Sequence, residues 1–227
     1  MANPSHNLAK VYNELLSAFF AECTLAGVAV SHRASGPALV SRGASDEDPC
    51  IVESLLYLKD CPYGTVKKRK KLDIVLTSSE TITWDRRVVR SSVKVQYFSV
   101  RDNEAVLLLG LHYDYDNPAL NAHPYFHVQI GKSNMTCEQL KEIKFRHTYV
   151  EEPDTFPGGI RIPTVHMGLC STLLKIAADH FPATQFSNFR NVARSKKPFS
   201  EFECEIGANT LAGSPGLVCL QSHRFYR

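Results

Sequence analysis

The sequence predicts an α+β fold: an antiparallel, meander-like sheet packed on one face by an N-terminal helix and a helical C-terminal part. Three observations carry this. Apolar residues recur every three or four positions at the start of the chain, alternate with polar ones through much of the middle, and return to helical spacing after a loop rich in proline and glycine.

Residues Ser5 to Ala26 form the first predicted helix. Ser5 offers a capping hydroxyl, Leu8, Val11, Tyr12, Leu15, Leu16, Phe19, Phe20 and Cys23 make a wide apolar stripe, and Gly27 ends it. Val28 to Arg33 reads as a short strand, followed by a polar loop through Pro49. Cys50 to Lys59 reads as a short helix with Asp46 or Asp48 near its positive N-terminal end. Leu72 to Leu76 and Thr81 to Trp84 read as strands. Val88 to Ser99 is a longer one, with Val89, Val93, Val95 and Tyr97 on one face and Arg90, Lys94 and Gln96 on the other.

A turn over Arg101 to Glu104 leads into the stretch from Ala105 to Gly131, two strands joined by a polar loop that holds three of the nine histidines. Strict alternation puts Leu107, Leu109, Leu111, Tyr113 and Tyr115 on one face of the first strand, and His112, Asp114 and Asp116 on the other. In the return strand Phe126, Val128 and Ile130 are the apolar set. Thr136 and Gln139 make a capping pattern for a short helix. Phe145 to Val150 reads as a strand with His147 on an edge. After Ile160 to Pro163, Thr164 to Phe181 has helical period, with Val165, Leu169, Leu173, Ile176 and Ala177 on its apolar side, His166 in its first turn and Pro182 ending it. Thr184 to Phe202 interleaves Phe186, Phe189, Val192 and Phe199 with Arg190, Arg194, Lys196 and Lys197, and Gly207 to Arg227 reads as a final strand or an interface segment.

The 227 residues fit a single α+β domain, 1–227, with residues 153–160 as an internal boundary between a helix-plus-sheet region (1–152) and a helical C-terminal part (160–227). With 44% hydrophobic and 22% charged residues the composition is that of an ordinary globular protein, and a net charge of +3 neither demands nor excludes nucleic acid. No apolar run is long enough to span a bilayer, and the N-terminus lacks the basic and apolar regions of a signal peptide, so no membrane is expected and the expected location is cytoplasmic. Seven scattered cysteines without a Cys-x-x-Cys pair argue against a zinc knuckle or a secreted disulfide scaffold, and most are expected as buried thiols.

If the two strands of the central hairpin share a core through their apolar faces, His112, Asp114, Asp116, His127 and Gln129 share the opposite surface, with His123 at its rim. Two chemistries suit this set. A His/Asp/His group can bind a divalent metal, and two histidines with an orienting carboxylate can transfer protons without one. A purely structural surface with cross-strand hydrogen bonds explains the same pattern. If the Val88 strand lies next to it, Arg90 and Lys94 join the surface, and cations beside histidines and carboxylates suit a phosphate-bearing substrate. The run Lys67, Lys68, Arg69, Lys70 and Lys71 is the strongest local charge feature, a solvated loop or a second contact to phosphates.

At His112-Tyr-Asp-Tyr-Asp116, His123-Pro-Tyr-Phe-His127, Arg161-Ile-Pro163 and the helix through Phe181, the chain resembles a set of bacterial proteins often encoded near toxin–antitoxin, retron or anti-phage genes. The resemblance spans roughly residues 105–182 and implies a bacterial cytoplasmic protein of a defence or mobile-element setting, with a protein from the same operon as one expected partner. It carries over no catalytic residue.

Together these readings lead to a protein that binds or cleaves nucleic acid through the polar sheet face. His112, Asp114 and His127 are its expected catalytic set, and Arg90, Lys94, Asp116, His123 and Gln129 its expected substrate contacts. Whether it is an enzyme stays open, with phosphodiester cleavage as the reaction class. The rival from another class is a non-enzymatic, antitoxin-like subunit that binds a protein partner through the N-terminal stripe or the tail.

Overall fold

The N-terminal stripe becomes helix α1 (Pro4–Leu25) in the computed structural model, which describes residues 4–42, 48–63, 70–83, 88–116, 126–131, 137–145, 147–150, 161–163 and 168–195. Leu8, Tyr12, Leu15, Leu16, Phe19 and Cys23 are buried, with Val11 and Phe20 packed at the margin. The helix ends where the Val28 N–H donates to the Cys23 carbonyl at 2.9 Å and Gly27 takes φ +77°. This is a left-handed C-terminal cap that a residue with a Cβ would strain.

Among the described residues nine strands follow: β1 (Ala29–His32), β2 (Ala38–Arg42), β3 (Cys50–Tyr63), β4 (Lys70–Ile82), β5 (Val88–Arg101), β6 (Glu104–Asp116), β7 (Phe126–Ile130), β8 (Thr148–Val150) and β9 (Arg161–Pro163). They form one sheet in the order β1-β3-β4-β5-β6-β7-β9, with β2 beside β3 and β8 beside β6. Every pairing is antiparallel except β6 with β8, so β3 to β7 are a meander. The fold is α+β, as predicted.

One face of the sheet carries the main core. Helix α3 (Leu169–His180) and helix α4 (Ala183–Ser195) join α1 there, over Val52, Leu56, Leu58, Ile74, Leu76, Val93 and Val95. Phe19 stands near its centre, stacked on Phe181 with centroids 5.5 Å apart and edge-on to Phe189 at 5.1 Å. A carboxylate is buried in the same core. Glu80 accepts from the Tyr12 hydroxyl at 2.7 Å, from the Ser91 hydroxyl at 3.4 Å and from the Leu169 N–H at 3.2 Å. The N-cap position of α3 is Gly168, which has no side chain to offer, so a strand residue supplies the anionic acceptor that the positive helix end favours.

Several expectations are corrected. Cys50 to Lys59 is the first part of a 14-residue strand, not a helix. Its Cys50, Val52, Leu56 and Leu58 face the main core while Leu55 and Tyr57 are buried on the other side, and a strand apolar on both faces loses the alternation that identifies strands. The separate strands at Leu72 and Thr81 are one, because Ser78 and Glu80, polar but buried, interrupt the apolar pattern without interrupting the ladder. The expected polar loop before Pro49 contains β2.

Strict alternation also fails in β6. Tyr97 pairs with Leu109 but Phe98 pairs with Leu107, leaving Leu108 as an extra bulged residue. Leu111 and Tyr113 pack on the main core, whereas Leu107 turns to the opposite face. There, helix α2 (Cys137–Glu142) and the turn after it place Leu140, Ile143 and Phe145 on Leu55, Tyr57, Val75, Phe98, Ala105 and Leu107, a second and smaller core. Among the described residues of the expected Phe145 strand, only Thr148 to Val150 are in a strand. Val165, His166, the Thr136 cap, Lys196, Lys197 and the tail from Gly207 lie outside the described residues. Among the described residues no helix is long and apolar enough to cross a membrane. Cys23, Cys50, Cys61 and Cys170 are buried free thiols.

Candidate functional site

Helix α2 covers only part of the second sheet face. Beyond it, the strand register aligns two successive rows of residues. One row runs Glu53, Ser79, Ser92, Asp114 and His127, and the next runs Leu55, Thr77, Lys94, His112, Gln129 and Arg161. Cross-strand partners share a face, so the polar surface expected from the hairpin is extended by β5 as anticipated.

At its centre the His112 imidazole is fixed by two neighbours. Its Nε2 lies 2.8 Å from Asp114 Oδ1 and 2.8 Å from Ser92 Oγ. An ionised carboxylate accepts hydrogen bonds and cannot donate, so Nε2 carries the proton and donates it towards Asp114, with the Ser92 oxygen sharing it. Both partners meet the same nitrogen. The three residues are therefore not a relay in which serine and aspartate hold opposite sides of the ring. The arrangement leaves Nδ1 of the neutral ring as the proton-accepting atom. The His112 and Asp114 side chains are 22% and 30% exposed, half out of water yet reachable from solvent.

Lys94, half-buried, is the register partner of His112, and the exposed Arg90 is the register partner of Asp116 four residues along. Gln129, also half-buried, pairs with His112 from β7. His127 pairs with Asp114 in register; its side chain and that of Asp116 lie outside the described residues, as do His123, Lys67, Lys68 and Arg69. Lys70 and Lys71 are described and exposed, but the structure does not bring them to this surface. Thr77 stands in the His112 row, and six residues of strand separate it from Lys71, roughly 20 Å at the usual rise. Lys71 Nζ instead faces Asp60 at 3.6 Å.

Ser92 is the contact that the sequence reading missed. Its signal was available, because Ser92 precedes Lys94 by two on the same strand and so falls on the same face. A second polar cluster was also missed. Asp73, buried, accepts from the Tyr57 hydroxyl and from the Asp60 N–H at 3.0 Å, while His147 Nε2 lies 3.2 Å from the Tyr57 oxygen and 3.7 Å from Asp73 Oδ2. Burial, then the bond to Asp73, pushes the Tyr57 hydroxyl well above its ordinary pKa. His147 was expected on an edge; its ring lies edge-on against Phe145, which packs in the second core, and its Nε2 faces the buried Asp73. The cluster anchors that turn, and the guanidinium of Arg33 anchors its other side through Glu142 at 3.2 Å and Glu53 at 3.9 Å.

Among the described residues no group of three His, Cys, Asp or Glu side chains is gathered for a metal ion; His112 and Asp114 are a pair of such donors in contact with each other. Comparison with protein-family models, with curated proteins and with solved structures finds no match for the chain.

Proposed function

We propose that the polar half of the second sheet face binds nucleic acid and acts on its phosphodiester backbone. The observation that carries the reading is the His112 ring, held through Nε2 by Asp114 and Ser92 beside Lys94 in cross-strand register, on the part of the sheet that α2 leaves open. An oriented imidazole with one free basic nitrogen is a proton-transfer group, and adjacent cations favour phosphate over a neutral substrate. In this reading His112 transfers the proton, Asp114 and Ser92 orient it, and Lys94 and Arg90 bind phosphate oxygens. His127 and Gln129 flank the site from β7. The bacterial defence setting implied by the resemblance belongs to the same proposal and indicates where a natural substrate would be sought.

The test is binding of labelled single-stranded and duplex oligonucleotides, followed by fluorescence anisotropy across a salt series. Each phosphate contact contributes a slope of roughly −0.7 to −0.9 in log affinity against log salt, so Lys94→Gln and Arg90→Gln should each flatten the slope by about one such unit. A wild-type protein that binds no oligonucleotide at low salt sinks the reading.

One observation favours the alternative, a partner-binding subunit. Leu108 and Leu109 are 54% and 38% exposed, on the part of β6 between the residues paired with β8 and those paired with β7. Under that alternative Leu109→Lys abolishes capture of the partner and leaves oligonucleotide binding unchanged.

A further inference from the structure

We infer, on the basis of the nucleic-acid reading above, that the substrate of the His112 site is RNA, and that the nucleophile is the substrate's own 2′-hydroxyl. The inference comes from which atoms are already committed. Ser92 meets His112 through Nε2, the nitrogen whose proton points at Asp114. A serine acting as nucleophile must pass its proton to a bare nitrogen, and Nε2 is not bare. Ser92 is therefore a positioning residue. Proton acceptance falls to Nδ1, which has no hydrogen bond to a described residue.

A base at Nδ1 serves a hydroxyl that arrives with the ligand. A hydroxyl already attached beside the reacting phosphorus has an effective concentration of about 10⁵–10⁸ M relative to a free one when well oriented, a gain that water does not share. In nucleic acids the 2′-hydroxyl of RNA stands in that position, and DNA lacks it. The step balances without a co-reactant. Nδ1 takes the proton of the 2′-hydroxyl, the 2′-oxygen forms a bond to phosphorus, and the bond from phosphorus to the 5′-oxygen of the next nucleotide breaks. That oxygen takes a proton from water, and the imidazolium returns its own proton to the hydroxide left behind. The products are a 2′,3′-cyclic phosphate and a free 5′-hydroxyl. The Lys94 ammonium, in the register position next to His112, is placed to neutralise the charge on the non-bridging oxygens.

The experiment uses the full chain with three oligonucleotides of one sequence: RNA, DNA, and RNA carrying 2′-O-methyl groups throughout. Binding is read by anisotropy and cleavage by gel and mass spectrometry. The expected result is binding of RNA and 2′-O-methyl RNA, cleavage of RNA alone, and product masses of a cyclic phosphate and a 5′-hydroxyl. His112→Gln should lower the cleavage rate by about 10²-fold or more with RNA binding retained, as expected when a general base is lost. Cleavage of DNA or 2′-O-methyl RNA at a rate comparable with RNA overturns the inference and leaves the nucleic-acid reading standing. Binding of RNA without cleavage overturns it equally. Binding to none of the three overturns both. An unchanged melting temperature in His112→Gln separates loss of chemistry from loss of fold.

Discussion

The buried carboxylate of Glu80 is where one atom tests how the helical layer is fixed to the sheet. Tyr12→Phe removes only the hydroxyl that donates to Glu80 Oε2 at 2.7 Å, and it leaves the ring, 2% exposed, to fill the same space. No cavity forms, so the cost is that of a charge-assisted hydrogen bond in a dry site, about 1.5–3 kcal/mol. Glu80 keeps the Leu169 N–H at 3.2 Å and the longer Ser91 contact at 3.4 Å, which argues against complete unfolding. In a Glu80→Gln background the same change removes a bond between neutral groups, about 1 kcal/mol, so the coupling between the two sites should be about 1 kcal/mol. Urea denaturation of the four proteins at neutral pH measures it, as a shift in midpoint at constant slope. A Tyr12→Phe cost below about 0.5 kcal/mol, or one equal in both backgrounds, would refute the claim that Glu80 is ionised and held by Tyr12.

Three further outcomes follow from the same structure. Burial raises the Tyr12, Tyr57 and Tyr97 hydroxyls above their ordinary value of 10.0. Their contribution to stability is complete below about pH 10 and is lost as pH rises beyond it, so urea midpoints should fall steeply on the alkaline side, and less steeply in Tyr57→Phe. His180 is shifted the other way, lowered from 6.5 by burial against the opposing effects of its bond to the Pro62 carbonyl and of Asp179. Its contribution is present above about pH 6.5 and is lost as pH falls below it, so midpoints measured at descending pH should decline less in His180→Gln. The turn between β5 and β6 holds Asp102 at φ +49° and Asn103 at φ +68°, closed by the Arg101–Glu104 pair. Asn103→Val should lower the thermal midpoint by the equivalent of about 1–2 kcal/mol, while Asn103→Gly should leave it unchanged or raise it.

Legibility followed burial on one side. Elements that present a single apolar face to the main core, such as α1 with its stripe from Leu8 to Cys23 and β5 with Val93, Val95 and Tyr97, were readable, because a periodicity of 3.6 or 2 survives when the other face is polar. Where both faces are covered the code failed. Leu55 and Tyr57 lie under α2 while Leu56 and Leu58 lie under the helical layer, and the resulting continuous run at CIVESLLYLK resembles a helix. The Leu108 bulge is a different loss. Nothing in VLLLGL distinguishes the residue that drops out of the ladder, yet its insertion sends Leu107 to the second core and Leu111 to the first.

The candidate site was legible in part for the same reason. His112 and Asp114 share a face at period two, and that much is independent of any partner strand. What makes them a unit is the offset of β5 against β6, fixed beyond the bulge, which brings Ser92 opposite Asp114 and Lys94 opposite His112. A slip of one residue would send these side chains to the helical core, where Val93 pairs with Tyr113, so the hydrophobic pattern that packs the main core also holds the polar row in register. Seen this way, the second core under α2 does more than cover Tyr57 and Phe98. It closes one end of the second face and leaves His112 at the border between dry packing and open surface, where an imidazole can be rigidly oriented and still meet a ligand.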